Sequence, residues 1–309
     1  MQERTLIYPF FIPNLGCPGT CIFCDQHKIS GAKEPDLDAI KTEAESFIMR
    51  NQDKNKEIAF YGGSFTALIK EKQREYLHAV TQITGDFTIR ISTHPLYIDK
   101  ETLDFLKENR VQTIELGVQD FCDIPLKESG RGYTKQDAIK ASELIKEEGF
   151  NLGIQLMPGL PGSDEKSLEE NLLQLEKIAP DYLRIYPTIV IRGTPLEELY
   201  LRGAYKVLTL SEAVEICVRY HDLCEKRGIK LIKMGLSSNL QKEEVVAGPY
   251  HPAFGELVKQ ELLIRRIKKE PSKIERLTQA QKGLLRAHGC NFMESIGYID
   301  AKNARRRRK

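Results

Sequence analysis

The sequence predicts an α/β fold in which parallel strands alternate with helices, followed by a more helical C-terminal region. Three observations carry this. Strand-like and helix-like segments alternate six times over residues 6–201, and such alternation sets consecutive strands parallel with helices as crossovers. The strand-like segments are short apolar runs that end in Gly-, Pro- or polar-rich turns, as buried parallel strands do. After residue 205 the alternation lapses and helical periodicity takes over.

Taken in order, residues 6–12 are apolar and β-rich, and residues 33–51 read as a helix with Ile40, Ala44 and Phe47 at helical spacing. A short strand over 57–60 stops at Gly62 and Gly63, and a helix over 70–82 follows. The next strand spans 87–92, and the helix over 99–108 has Asp99 as its N-cap. A strand over 112–117 leads to a helix over 134–148 that stops at Gly149. The strand over 151–157 is closed by Pro158, Gly159, Leu160, Pro161 and Gly162, and the next helix runs to 178. The last unit is a strand over 182–186 and a short helix over 194–201. Six βα units close into a partial barrel or lie as an open doubly wound sheet, and the alternation allows both. Beyond 205, helices are expected over 211–226, 254–269 and 279–288, with one strand over 229–233. Two domains are therefore expected, residues 1–204 and an appended region 205–309.

Composition narrows the function classes. Of 309 residues, 41% are hydrophobic and 29% charged, an ordinary globular balance that excludes a disordered chain, a collagen and a disulfide-dense miniprotein. No apolar run is long enough to span a bilayer, so no membrane partner is expected. Glu3, Pro9 and Pro13 break any signal-peptide pattern. A cytoplasmic protein is expected, with its seven cysteines reduced or bound to metal. Charge is unevenly spread: residues 1–258 hold 31 basic and 39 acidic side chains, residues 259–309 hold 15 and 5. The chain ends in Arg305, Arg306, Arg307, Arg308 and Lys309, a handle for a polyanion or a solvated end.

The most informative segment follows the first strand: Gly16-Cys17-Pro18-Gly19-Thr20-Cys21-Ile22-Phe23-Cys24. Three thiolates with three and two residues between them suit an iron–sulfur cluster, which takes soft sulfur ligands. Three protein ligands leave one iron of a four-iron cluster open to a small molecule. Other readings are a zinc site completed by His27, a disulfide, or three packed structural cysteines.

This loop resembles the signature of the radical S-adenosylmethionine (SAM) enzymes. The resemblance implies a partial (β/α)6 barrel with a four-iron, four-sulfur (4Fe-4S) cluster held by Cys17, Cys21 and Cys24. It implies SAM bound to the open iron and cleaved by one electron to methionine and a 5′-deoxyadenosyl radical that takes hydrogen from substrate. It also implies an electron donor such as flavodoxin or ferredoxin.

Later motifs fall at strand ends, where β/α barrels gather their active sites. Tyr61-Gly62-Gly63-Ser64-Phe65 resembles the family's glycine pair, whose backbone meets the SAM amino group. In Ser92-Thr93-His94-Pro95, Ser92 stands where relatives often carry a glutamate. Glu115-Leu116-Gly117-Val118-Gln119-Asp120-Phe121, then Gly130-Arg131-Gly132-Tyr133-Thr134, resemble oxygen-independent coproporphyrinogen oxidase and the catalytic subunit of Elongator. By that resemblance Gln119 contacts the SAM ribose or methionine, Arg131 its carboxylate, Gln155 the ribose, Glu115 a further part of SAM, and Phe23 the adenine. Substrate should meet Arg184, Tyr186 and Arg192 on the last strand. The run from Leu183 to Thr194 is closest to Elongator, and the resemblance spans about residues 5–239.

Two Elongator features differ. Its cysteine loop has a longer first spacing, and its acetyltransferase domain is not expected within these 309 residues. The nearest match to that domain's pyrophosphate loop, Arg286-Ala287-His288-Gly289-Cys290-Asn291, ends in the wrong residue. Elongator's carboxymethyl chemistry is therefore not expected. The Elongator-like core and basic end favour a tRNA base as substrate. The alternatives are a small-molecule radical reaction of the porphyrinogen-oxidase kind and a non-catalytic haem- or cofactor-binding relative. Cys217 and Cys224 share a helix face and read as core, Cys122 and Cys290 are isolated, His78 and His221 read as structural, and His251 lies in a loop.

Overall fold

The computed structural model describes residues 5–17, 19, 21–236, 240–270, 278, 279 and 283. Strand β1 (Leu6–Phe11) leads through the cysteine loop to a short helix α1 (Gln26–Ser30) and then α2 (Leu37–Arg50). Next come β2 (Lys56–Tyr61), α3 (Lys70–Thr81), β3 (Thr88–Thr93), α4 (Lys100–Glu108) and β4 (Val111–Gln119). Helices α5 (Asp123–Glu128) and α6 (Lys135–Glu147) precede β5 (Asn151–Leu156), α7 (Glu165–Ile178) and β6 (Tyr182–Ile185). The rest comprises β7 (Val190–Ile191), α8 (Pro195–Leu201), α9 (Leu210–Arg227), β8 (Lys230–Met234), β9 (Val245–Ala247) and α10 (Phe254–Lys269).

Seven strands form one sheet in the order β1-β2-β3-β4-β5-β6-β8, and every neighbouring pair is parallel. The expected six strands are all there. The seventh, β8, comes from beyond residue 204 and pairs with β6 from Tyr182↔Lys230 to Ile185↔Met234. Helix starts follow their caps: α2 begins at Leu37, not 33, because the Asp36 carboxylate accepts from the amides of Asp38 and Ala39. The antiparallel pair β7-β9 was not expected; two- and three-residue strands carry no period to read. The helix expected over 279–288 lies outside the described residues apart from Gln279 and Gly283.

The sheet curls into a half-barrel. β2 and β6 are four strand spacings apart, about 19 Å on a flat sheet, yet Arg184 Nη2 donates to the Tyr61 hydroxyl at 2.8 Å. The convex face carries Ile58, Phe60, Ile89, Ile91, Ile114, Leu152, Ile154 and Leu183, all buried under the helices. Alternation then turns the other set inward: Glu57, Tyr61, Arg90, Glu115, Gln155 and Arg184. The helices therefore take the apolar packing, and the concave face is left polar. Among the described residues no helix is long and apolar enough to cross a membrane.

Candidate active site at the carboxyl mouth of the sheet

The cysteine loop is seated by backbone contact with the turn after β2. Asn14 N donates to Gly62 O at 2.9 Å and Ser64 N to Leu15 O at 2.8 Å. A Cβ at residue 63 would collide with the carbonyl oxygens of Leu15 and Ile12, and one at residue 16 with that of Ser64. Both glycines are thus required for the two loops to meet. Further on, Cys24 N donates to Cys21 O, Ile22 N to Ser129 O and Leu196 N to Ile22 O, so α5 and α8 hold the loop from the other side. Cys17 is exposed and Cys21 and Cys24 are half-buried. Burial, with the Cys21 thiol adding to it, pushes the Cys24 thiol up to about 12, and the same two causes raise Cys17.

Strand β4 ends in a distortion that serves the site. Its register against β5 slips between Leu116 and Gln119, and Gln119 takes φ +68, a region that side chains other than glycine seldom occupy. The turn brings the Gln119 side-chain oxygen to 3.3 Å from Gln155 Nε2, so two of the expected SAM contacts meet. Arg131 is nearly buried at 9% exposure. Its Nη2 donates to Gly117 O at 2.5 Å, its Nε to the Tyr133 hydroxyl at 3.2 Å and its Nη1 to Cys21 Sγ at 3.0 Å. The guanidinium thus reaches the cysteine loop from 110 residues away. Sequence reasoning gave no role to the two residues that hold it, Tyr133 and His94. His94 Nδ1 accepts from Leu96 N, so its proton sits on Nε2 and is donated to Arg131 O at 3.2 Å.

Below this layer lies a charge-balanced network. Arg90, 1% exposed, bonds Glu57 Oε2 at 2.7 Å and Glu115 Oε1 at 2.6 Å. Glu115 in turn accepts from Arg184 Nε at 2.6 Å and Tyr61 OH at 2.9 Å. Gly153 leaves room for it, since a Cβ there would meet Glu115 Cγ at 2.7 Å. Burial works against its charge, but Arg184 and Arg90 hold the carboxyl below its ordinary value. Both Glu115 oxygens accept bonds, which departs from a carboxylate standing free at a strand end, and Glu115 anchors Arg184. Arg184 keeps 15% side-chain exposure, with Nη1 3.5 Å from the Tyr186 hydroxyl. Arg192 also departs from expectation: it is exposed at the end of β7, outside the main sheet, with Nη2 against Glu243 O. The Phe23 ring is 6% exposed and packed in an apolar cluster with Leu160, Val190, Leu196 and Tyr205. Arg90 carried a signal in the sequence: a lone arginine between Ile89 and Ile91 has no place on an apolar face.

A family model for the radical SAM superfamily matches residues 11–175, more than half of the chain, and one for the radical SAM C-terminal domain matches 180–263. The chain belongs to the radical SAM superfamily. Among its relatives, a tRNA uridine(34) acetyltransferase of Methanocaldococcus jannaschii is 37% identical over 129 residues, 41% of this chain and 24% of the relative. An uncharacterized protein of the same organism is 30% identical over 253 residues, 76% of each chain. In solved structures the fold matches an archaeal Elongator protein of Methanocaldococcus infernus with an N-terminal deletion, at TM-score 0.67 and 22% identity over 86% of this chain and 63% of that one. It also matches coproporphyrinogen III oxidase of Escherichia coli, at TM-score 0.53 and 21% identity over 73% and 53%. The chain spans about a quarter of the length of the tRNA acetyltransferase it resembles. The second family model runs across residue 204, as does the sheet through β8.

Radical SAM membership implies a 4Fe-4S cluster, SAM and a reductant. The donor set fits the cluster: three cysteines on one glycine-hinged loop, with the Arg131 cation on one sulfur. The raised thiol values of Cys17 and Cys24 do not oppose this, since iron binding itself strips the protons. Among the described residues no three His, Cys, Asp or Glu side chains converge on a single-ion position. That is compatible with a cluster, whose thiolates each take a different iron.

His94 gives a pH prediction. Burial first, then the Arg131 cation, lower its imidazole from 6.5 to about 4. Between those values the unfolded chain takes a proton that the folded one refuses. Its contribution to stability is therefore full above about pH 6.5 and is lost as pH falls through 4. Buried Asp120 opposes this trend: raised from 3.8 to about 7, its contribution is full below 3.8 and fades as pH rises towards 7. Melts of the parent and His94→Gln across this range separate the two. Relative to the variant, the parent should lose up to about 3 kcal/mol on acidification. A pH-independent difference would mean the imidazole does not titrate in this way.

Proposed function

We propose that this chain is a tRNA-modifying radical SAM enzyme whose cluster is held by Cys17, Cys21 and Cys24. The observation that carries the reading is the seating of the three-cysteine loop at the mouth of a polar concave face lined by Tyr61, Gln155, Arg184 and Tyr186. When bound, the cluster and SAM supply a 5′-deoxyadenosyl radical able to take hydrogen from a substrate carbon. The chain's own residues bind and orient. The Gly62-Gly63 turn presents backbone to the SAM amino group, Gln119 and Gln155 offer amides to ribose hydroxyls, and Phe23 backs the adenine. Arg184, fixed by Glu115 and Tyr61, points the remaining edge of its guanidinium at substrate. A cytoplasmic flavodoxin or ferredoxin serves as electron donor.

The tRNA assignment is supported by the similarity to a tRNA uridine(34) acetyltransferase and by the basic C-terminal end. On α10, Arg265 pairs with Glu215 and Glu261, and Arg266 with Glu225. We therefore assign phosphate contacts to the last residues, which lie outside the described ones. Deleting Arg305–Lys309 removes five positive charges. RNA affinity should fall, and the salt slope should flatten by up to ~0.7–0.9 per lost phosphate contact. SAM cleavage without RNA should be unchanged. An unaltered affinity and slope would remove the tail from RNA binding and favour a small-molecule substrate.

A further inference from the structure

Arg131 is a buried cation with no acid beside it. Its bonding partners are a carbonyl, a tyrosine hydroxyl and a cysteine sulfur, and among the described residues none of its ion pairs is with a carboxylate. Removing an arginine from water without a counter-charge is costly, and proteins rarely tolerate it. The counter-charge must come from something the site acquires.

The way Arg131 is held says what that is. Its amide N donates to Leu126 O at 2.9 Å and its carbonyl accepts from His94, which fixes the backbone. Nη2 and Nε are tied to Gly117 O and the Tyr133 hydroxyl, and the guanidinium lies 5.1 Å from the Tyr133 ring centroid. A Cβ at residue 117 would come 3.0 Å from Gln119 Nε2 and 3.6 Å from Arg131 Nη2, so the guanidinium and the Gln119 amide pack close against this stretch of backbone. Three of the five N–H groups of the guanidinium are thus committed, and the third aims Nη1 at Cys21 Sγ. That sulfur becomes an anion when it ligates iron.

We propose that Arg131 is the fixed counter-charge of the cluster, donating through Nη1 to the Cys21 sulfur and thereby raising the cluster's reduction potential. The inference rests on the reading of Cys17, Cys21 and Cys24 as cluster ligands. Its physical basis is simple. Adding an electron makes the cluster more negative, and a cation held against a ligand sulfur favours the reduced state over the oxidised one. Hydrogen bonds to cluster sulfurs act in the same direction. Arg131 acts through Cys21 in this role, as a positioning residue, and Tyr133 and His94 act through Arg131.

The test is a potentiometric titration of the reconstituted protein without SAM, following the electron paramagnetic resonance signal of the reduced cluster. Parent, Arg131→Met, Arg131→Lys and Tyr133→Phe are compared. At the parent's midpoint half of the clusters are reduced. In Arg131→Met that fraction should fall below about a tenth, a shift of roughly 59 mV for a one-electron couple. Arg131→Lys keeps the charge on a shorter, unforked reach and should fall between, and Tyr133→Phe should shift by less, in the same direction. A parental midpoint in Arg131→Met overturns the proposal. Loss of the cluster from all three variants also overturns it, since Arg131 would then be a prop for the loop. Failure of the parent itself to hold a cluster is a different result and strikes at the ligand assignment beneath.

Discussion

Cys21→Ala should abolish the iron–sulfur absorption and SAM cleavage together. The loop supplies three thiolates, and a cluster left with two has lost a protein ligand as well as the sulfur that Arg131 bonds. The matching control is Cys217→Ala. Cys217 is fully buried on α9 among apolar neighbours, and burial alone raises its thiol, so it packs and does not ligate. That variant should keep the spectrum and the SAM cleavage of the parent. Ultraviolet–visible spectra and 5′-deoxyadenosine assays on the two proteins, prepared without oxygen, decide this. A Cys21→Ala protein that retains both signals would remove the loop from the chemistry.

The second large effect lies beneath the site. Arg90→Met should destabilise the fold by about 3–5 kcal/mol, because it leaves the buried Glu57 carboxylate without its cation and takes one of two arginines from Glu115. Arg90 is the one bond between these two carboxylates, at 2.6–2.7 Å to each, and Glu57 has Thr113 as its remaining partner, at 2.9 Å. Removing Glu57 as well, in Arg90→Met with Glu57→Gln, leaves the neutral Glu115–Arg184 pair and should recover part of the loss. Urea unfolding measures both variants. A loss under about 1 kcal/mol in the single variant would mean that water reaches the carboxylates and screens them.

How much of this was legible in the sequence depends on the kind of signal. The six βα units were readable because strands buried under helices are apolar runs and their ends are punctuated by glycine and proline. The seventh strand was readable as a strand but not as a sheet member, since pairing of Lys230–Met234 with β6 is a long-range choice. The cysteine loop was legible from residue type and spacing. The partners of Arg131 were not: Tyr133 and His94 sit inside motifs, but their bonds to residues 117, 118 and 131 depend on how β3 and β4 end side by side. For Glu115 the sequence shows a carboxylate at a strand end and not the two arginines that reach it from β3 and β6. Arg192 was placed on the last strand because the chain's turn at 186–189 into the separate β7-β9 pair leaves no periodic trace.

The assignment of Cys17, Cys21 and Cys24 as cluster ligands is tested most directly by counting metal. The full chain, reconstituted anaerobically with iron and sulfide, should hold about four irons and four sulfides. On reduction with SAM present it should release 5′-deoxyadenosine. One zinc per chain, with no iron–sulfur spectrum obtainable by reconstitution, would contradict the assignment.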